Sequence, residues 1–196
     1  MKKEPVFILG AGGHAVACID VLEAEGKRRI LGLVGSREEV GRKICGYSVI
    51  GTDSDLPALL KQAESLVMGI GQIKTPAPRK KLFLKALSLG AKFPVILSPI
   101  SRVSPRAIIY SGTIVMHGAI VQPGALVGKN CILNSRCLLE HGVQIEDHCH
   151  ISTGSILNGD VRVGEGSFVG SGAVVQEGAV IRANSLVPMG AVVKRH

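Results

Sequence analysis

A six-residue repeat fills residues 103–193 and limits the possible folds more than any other feature of the chain. Every sixth residue of this stretch is Val, Leu or Ile, without a shift of register. The third residue after each aliphatic is mostly Gly, Asn or Asp, and the fourth is small, as at Ala119, Cys131, Ser155 and Ala173. A fixed period is typical of a solenoid, and a six-residue period is typical of a β-helix.

Each hexad predicts one short strand that ends in one sharp corner. The aliphatic side chain points inward, and the corner residue needs a positive φ, which Gly, Asn and Asp adopt at the lowest cost. Three hexads close one triangular coil, and strand pairing stacks the coils at roughly 4.8 Å. Because the register already holds at Leu97, we expect a β-helix domain at residues 97–196.

Residues 1–96 predict a small Rossmann-like domain, an open α/β sheet of about four strands. An apolar run at residues 5–10 leads into a glycine turn and a helical pattern that ends at Gly26, which together open a βαβ unit. The further predicted strands are residues 30–34, 49–51, 66–70 and 93–97, of which the last leads into the β-helix. The further predicted helices are residues 56–61, with a cap at 52–55, and residues 78–89.

The composition narrows the possible partners. A net charge of +8 fits an anionic ligand such as a nucleotide, a phosphorylated sugar or coenzyme A, although a basic solvated surface explains it equally well. Nucleic acid is disfavoured because the basic residues are scattered and no aromatic platform accompanies them. We expect a cytoplasmic protein, since nothing resembles a signal peptide or a membrane span. The cysteines at 131, 137 and 149 occupy the small-residue position and predict buried apolar groups, not a disulfide or metal site.

The turn Gly10-x-Gly12-x-x-Ala15 loosely matches the dinucleotide-binding fingerprint. Its glycines allow backbone N–H groups at a helix N-terminus to approach a phosphate. A nicotinamide cofactor would also need an acidic residue after the second strand, where the chain has Gly35 and Ser36. Two interpretations remain open: a tight turn that packs helix on strand, and a phosphate or nucleotide-sugar site with His14 facing it.

His141 is the strongest catalytic candidate in the repeat. It lies two residues after an inward aliphatic, so its side chain points outward, and His148 and His150 follow within two hexads. Acyl transfer from a thioester needs a base and good positioning, and a neutral imidazole suits the base. Backbone N–H groups near Gly142 or His150 are candidate donors to the oxyanion. His148 stands at a corner position and is expected to be structural.

The glycine turn at residues 10–14, the pair Ile70-Gly71, and Asn134 with His141 and His150 resemble one bacterial family. It comprises sialic acid O-acetyltransferases (NeuD) and nucleotide 4-amino-sugar N-acetyltransferases (PglD-like). The resemblance covers nearly the whole chain. It implies a Rossmann-like domain followed by a left-handed β-helix, acetyl-CoA as acyl donor, a nucleotide-sugar substrate and a role in surface glycan biosynthesis. It also implies a homotrimer with active sites between subunits.

The resemblance also assigns roles to individual residues. His141 matches the catalytic histidine, and His150, Ser171 and Met189 match positions that contact the coenzyme. The substrate-binding positions that the resemblance implies are Gly12, Gly13, His14, Gly71 and Asn134. Asn134 can equally be read as a residue chosen for its tolerance of unusual backbone angles, and His14 as a plain helix-start residue. No metal is implied.

Three departures from the family pattern stand out. Gly142 replaces a Glu that follows the catalytic histidine in a well-known member, so another group must orient His141 or the base is weaker. Gly35 and Ser36 replace a pair of Asp residues near the nucleotide's ribose and base. The sequence ends at His196, without the usual C-terminal tail, so coenzyme packing is expected to differ.

We therefore predict an acetyl-CoA-dependent N-acetyltransferase that acts on a nucleotide-linked 4-amino-4,6-dideoxy sugar. An O-acetyltransferase of sialic-acid-like sugars is the first alternative, and a non-catalytic nucleotide-sugar-binding protein is another. A zinc enzyme of the γ-class carbonic anhydrase type is the remaining alternative, with His117, His141 and either His148 or His150 as ligands.

Overall fold

The computed structural model describes residues 3–195, and Met1, Lys2 and His196, at the outer ends of the two predicted domains, lie outside them. The chain forms two compact units. One unit comprises Met1–Gly71 with Ala77–Pro94, and the other comprises Gln72–Pro76 with Val95–His196. Among the helices of residues 3–195, none combines the length and the apolar character that crossing a membrane would require.

The first unit is a five-stranded sheet with three helices. Its strand order is β3-β4-β2-β1-β5, and all neighbours are parallel except β3 and β4. The strands are β1 Glu4–Leu9, β2 Arg28–Val34, β3 Lys43–Ile44, β4 Tyr47–Gly51 and β5 Ser65–Met68. The helices are α1 Gly13–Glu25, α2 Leu56–Leu59 and α3 Ala77–Ser88, and a 3₁₀ helix spans Arg37–Glu39. This confirms the predicted strand–turn–helix opening.

Two features differ from the prediction. The strand expected at residues 93–97 does lead into the β-helix, but it is shorter, since only Ile96–Leu97 is a strand. The short antiparallel strand β3, which pairs with β4, was not predicted. Its two residues contain no apolar alternation long enough to reveal a strand.

The second unit is the predicted parallel β-helix, built from seventeen two-residue strands in three sheets. Sheet 1 contains β6 Ile96–Leu97, β9 Ile114–Val115, β12 Ile132–Leu133, β15 His150–Ile151, β18 Phe168–Val169 and β21 Leu186–Val187. Sheet 2 contains β7 Arg102–Val103, β10 Ile120–Val121, β13 Leu138–Leu139, β16 Ile156–Leu157, β19 Val174–Val175 and β22 Val192–Val193. Sheet 3 contains β8 Ile108–Ile109, β11 Leu126–Val127, β14 Gln144–Ile145, β17 Arg162–Val163 and β20 Val180–Ile181.

The corners of the β-helix have the backbone angles that the repeat predicts. Every sixth residue from 112 to 190 has a positive φ, including Asn130, Asp160 and Asn184. His148 adopts the same conformation with φ of 61°, which confirms its expected structural place. Arg136 does so with φ of 58°, although arginine rarely occupies this region.

The core of the β-helix is one continuous column of inward aliphatics with small residues beside them. From Val115 to Val187 the aliphatic positions are all buried, and Cys131, Cys137 and Cys149 are buried among them. All five cysteines are free thiols, of which only Cys45 is exposed. Burial raises the pKa of Cys18 and of Cys137 to about 12, and a neighbouring thiol, Cys131, together with burial raises the pKa of Cys149.

Thiol titration of the native protein tests this core. At pH 8 we expect one equivalent of fast reaction with an aromatic disulfide reagent, at Cys45, because the other four thiols are buried and shielded from the reagent. Denaturant should release five equivalents. Cys45→Ser is the control and should remove the fast phase. More than one fast equivalent in the native protein would contradict the buried placement.

Candidate functional site

His141 lies on the edge between sheets 2 and 3, just before the corner at Gly142. Its side chain is exposed, as the repeat predicts for this position. The imidazole rests on Gly159, one coil further along: a Cβ on Gly159 would lie 2.5 Å from the ring Cε1 and 2.7 Å from Nε2. Only glycine at position 159 therefore leaves room for the observed ring. Gly159 was not among the residues predicted from the sequence. It could have been found there, because residues one coil apart differ by eighteen in number.

The departure at Gly142 has a local steric reason. Gly142 has φ of 69°, and a Cβ there would overlap the carboxylate of Asp160 in the next coil. A glutamate at position 142 would need both a strained backbone and a displaced Asp160. Among residues 3–195, no side chain forms a hydrogen bond with the His141 ring, so within one protomer nothing takes over the orienting role of that glutamate.

Asn134 and His150 form one hydrogen-bonded network on sheet 1. The Nδ1 of His150 lies 2.6 Å from the backbone oxygen of Gln72, and its Nε2 lies 3.1 Å from the Nδ2 of Asn134. The Asn134 oxygen accepts the N–H of Ser135 at 2.8 Å, which fixes the orientation of the amide. Because a carbonyl only accepts and an amide NH₂ only donates, the ring is neutral and carries its proton on Nδ1.

The segment Gln72–Pro76 covers this network, and sequence analysis gave no sign of it. The Gln72 side chain is buried, and its Nε2 donates to the backbone oxygens of Gly166 at 3.0 Å and of Ser167 at 3.4 Å. His150 is only 7% exposed and its ring packs edge-on against Phe168. Within one protomer both ring nitrogens have partners, and the expected contact of His150 with the coenzyme remains a prediction.

Ser171 and Met189 lie on the edge between sheets 1 and 2, each just before a corner, and both are exposed. Asn134 follows a strand of sheet 1 toward the same edge. His141 lies on the next edge, beyond the full width of sheet 2. Six residues of near-extended chain separate the two edges, a span of at most about 20 Å. One protomer therefore brings together the expected coenzyme positions but leaves the expected base apart from them.

The remaining histidines of the repeat lie elsewhere. His117 is on the edge between sheets 1 and 2, with its Nδ1 2.6 Å from the Oγ of Ser98. His148 is buried on the third edge, with its Nδ1 2.9 Å from the Nδ2 of Asn130. No group of three His, Cys, Asp or Glu side chains suited to a metal ion occurs within residues 3–195.

The glycines of the turn in the first unit divide into two kinds. Gly10 has φ of 112°, and a Cβ there would lie 2.8 Å from the side chain of Ile70, so the fold itself requires glycine. A Cβ on Gly12 or Gly13 would meet nothing within 4 Å. The space above these two residues is open, at the start of helix α1, where backbone N–H groups favour an anion. The tight-turn interpretation thus applies to Gly10, and the phosphate interpretation remains a prediction for Gly12 and Gly13.

His14 and Gly71 are neighbours beside this turn. A Cβ on Gly71 would lie 3.3 Å from the Cβ of His14. His14 occupies the first turn of α1 and is half-buried. The four residues expected to bind the nucleotide sugar in this unit therefore lie around the carboxyl ends of β1 and β5, where ligands bind in parallel sheets.

The backbone donors expected for an oxyanion are engaged elsewhere. The N–H of Gly142 donates to the oxygen of Pro123 at 3.3 Å, and the N–H of His150 donates to the oxygen of Ser167 at 2.9 Å. The N–H of Gly159, beside the His141 ring, has no acceptor among the described residues. The Gly159 N–H is therefore the better candidate donor to the oxyanion. Because one coil is eighteen residues long, the repeat itself could have indicated that Gly159 lies beside His141.

Two family models match the chain. The model of the PglD N-terminal domain matches residues 5–86, and the model of the hexapeptide repeat of succinyl-transferase matches residues 124–158 and 160–195. Both fit the two units described above. The comparison with curated proteins gave no match.

Solved structures with both units match nearly the whole chain. A variant of perosamine N-acetyltransferase from Caulobacter crescentus, in complex with CoA and GDP-perosamine, is 33% identical with a TM-score of 0.92, over 97% of this chain and 89% of that one. The acetyltransferase domain of PglB from Neisseria gonorrhoeae is 30% identical with a TM-score of 0.87, over 97% and 91%. A structure of that domain with acetyl coenzyme A is 28% identical with a TM-score of 0.86, over 98% and 94%.

A double-mutant cycle tests the contact between His141 and Gly159. The Gly159→Ala methyl group should displace the imidazole and lower kcat, with little effect on stability because only the flexible ring must move. In the background of His141→Ala the same methyl group meets no ring and should cost nothing further. Equal losses from Gly159→Ala in both backgrounds would show that the ring does not depend on this glycine.

Proposed function

Because the chain belongs to the PglD-like family of hexapeptide-repeat acetyltransferases, we propose that His141 is the general base of its acetyl transfer. The chain is an acyltransferase, and it uses acetyl-CoA to acetylate the amino group of a nucleotide-linked sugar. The observation that carries the proposal is the His141 imidazole, exposed on an edge of the β-helix and packed on a glycine beside an unpaired backbone N–H.

The proposed reaction needs one base, one oxyanion donor and alignment of two substrates. The amine lone pair attacks the thioester carbonyl carbon, a C–N bond forms, and the carbonyl oxygen becomes an oxyanion beside the Gly159 N–H. His141 removes a proton from the nitrogen. When the C–S bond breaks, that proton passes to the coenzyme thiolate, and the products are the N-acetyl sugar and free CoA. Holding both substrates in line supplies much of the remaining rate.

We infer that the α/β unit binds the nucleotide sugar and that the β-helix binds acetyl-CoA. Open space above Gly12 and Gly13, next to His14 and Gly71, supports the first assignment. The exposed positions Ser171 and Met189 support the second. Both ligands are metabolites of the bacterial cytoplasm, which supports a cytoplasmic enzyme, and an N-acetylated nucleotide sugar is a fitting precursor for a surface glycan.

We further infer a homotrimer with each active site shared between two copies. In one protomer, His141 and the coenzyme positions lie on different edges, so a second copy must supply the missing edge. Sheet 2, which separates these edges, has an apolar outer surface: Ile120, Leu138, Ile156, Val174 and Val192. Sheet 3 instead carries Gln144 and Arg162 at the matching central positions. An apolar strip of this kind is typical of a protein interface.

Replacing His141 by alanine tests the base. We expect kcat to fall by about 10²-fold, the lower end of the range for a lost general base, because an amine attacks more readily than a hydroxyl. The deficit should shrink as the pH rises, because hydroxide can then accept the proton that the attacking nitrogen releases. Acetyl-CoA consumption, followed through free thiol release, measures both effects. Wild-type rates at every pH would remove His141 from the mechanism.

A charge on sheet 2 tests the shared site. Val174→Glu should break the trimer and abolish turnover, because a carboxylate would enter an apolar interface. Gln144→Glu introduces the same group at the first strand residue of an earlier coil on sheet 3 and should leave both unchanged. Light scattering after gel filtration measures the oligomeric state. A monomeric wild-type protein with full activity would contradict the proposal.

A further inference from the structure

The α/β unit has a carboxylate group close to its glycine turn. This carboxylate was not predicted from the sequence. Strand β2 ends at Val34, and the next residues are Gly35 and Ser36, neither of them acidic. The 3₁₀ helix Arg37–Glu39 then turns the chain back, and Oε2 of Glu39 accepts the N–H of Ser36 at 2.8 Å. The acidic group missing after β2 in the sequence is therefore supplied from four residues beyond Gly35.

Gly35 makes room for this carboxylate. A Cβ on Gly35 would lie 2.8 Å from Oε2 of Glu39 and 3.2 Å from the Cβ of Ala11, in the glycine turn. The carboxylate thus occupies the space where a side chain at position 35 would begin, and it borders the turn that is open above Gly12 and Gly13. Its Oε1 has no hydrogen-bond partner within residues 3–195.

The position after the second strand has a known use in nucleotide-binding α/β sheets. In parallel α/β sheets the phosphates of a nucleotide lie at the N-terminus of the first helix, and an acidic group after the second strand accepts hydrogen bonds from ribose hydroxyls. Strands β1 and β2 are neighbours here, so Glu39 follows the second strand on the side of the turn that begins with Ala11, next to Gly12 and Gly13.

We propose that Glu39 is a specificity-determining residue that binds the ribose hydroxyls of the nucleotide sugar. The inference deepens the proposed function and depends on its assignment of the nucleotide sugar to the α/β unit. It also explains the second departure from the family pattern, because an acidic group is present at this site although Gly35 and Ser36 replace the pair of Asp residues.

The competing explanation is that Glu39 only caps the 3₁₀ helix, since Ser36 and Glu39 form a reciprocal capping box. Glu39→Gln separates the two roles. Glutamine caps as glutamate does, because its amide oxygen still accepts the Ser36 N–H. It loses the charge that makes a carboxylate the stronger acceptor of a hydroxyl. Glu38→Gln, one residue away on the same helix and exposed, is the matched control.

The experiment is calorimetric titration of the full chain with GDP and 2′-deoxy-GDP, repeated with UDP and 2′-deoxy-UDP. Wild-type protein and Glu38→Gln should bind the ribonucleotide about tenfold more tightly than its deoxy form. Glu39→Gln should weaken ribonucleotide binding about tenfold and lose most of the discrimination, with an unchanged melting temperature. Turnover of acetyl-CoA should show the same change as a raised KM for the nucleotide sugar, with the KM for acetyl-CoA unaltered.

Two results would overturn the inference in different ways. If wild-type protein binds a nucleoside diphosphate but does not distinguish it from the 2′-deoxy form, and Glu39→Gln binds both equally well, Glu39 is only a cap and the proposed function stands. If wild-type protein binds none of these nucleotides while it still consumes acetyl-CoA, the assignment of a nucleotide to the α/β unit fails, and the inference with it.

Discussion

The vertical stacking of coils eighteen residues apart is the constraint on which the β-helix and its proposed active site depend. Each coil closes only if its corners adopt positive φ and its aliphatics point inward, so every position of the hexad meets its own counterpart in the next coil. The imidazole of His141 is held in this way, over Gly159. The geometry of the proposed active site is therefore an outcome of the same register that builds the core, and a side chain at one position is limited by the residue one coil away.

The sequence predicted those parts of the structure in which neighbours in space are related by a fixed number of residues. The corners, the buried column with Cys131, Cys137 and Cys149, and the strand–turn–helix opening follow directly from spacing. The expected strand at residues 93–97 was too long, because apolar character alone does not show where a strand begins. The domain division at residue 96 remains a prediction. The segment Gln72–Pro76 precedes that division in the sequence but belongs to the same compact unit as the β-helix.

The residues that sequence reasoning missed share one property: their roles depend on chain that folds back from elsewhere. Gln72 reaches His150 across seventy-eight positions, and no local pattern marks it. Glu39 is near in sequence but turns back through a 3₁₀ helix, so a search limited to the end of β2 finds only Gly35 and Ser36. The space around each glycine also could not be predicted from the sequence. The structure separates Gly10, which the fold requires, from Gly12 and Gly13, which it does not.

The contact between Gly142 and Asp160 has a consequence for how this site can evolve. A glutamate at position 142 would adopt a positive φ, and its Cβ would meet the Asp160 carboxylate, so it can stand beside His141 only if the exposed Asp160 side chain turns away. A smaller residue at position 160 would remove this contact, so substitutions at positions 142 and 160 should have non-additive effects. The energetic cost of a glutamate beside His141 should therefore be lower when the residue at position 160 is small.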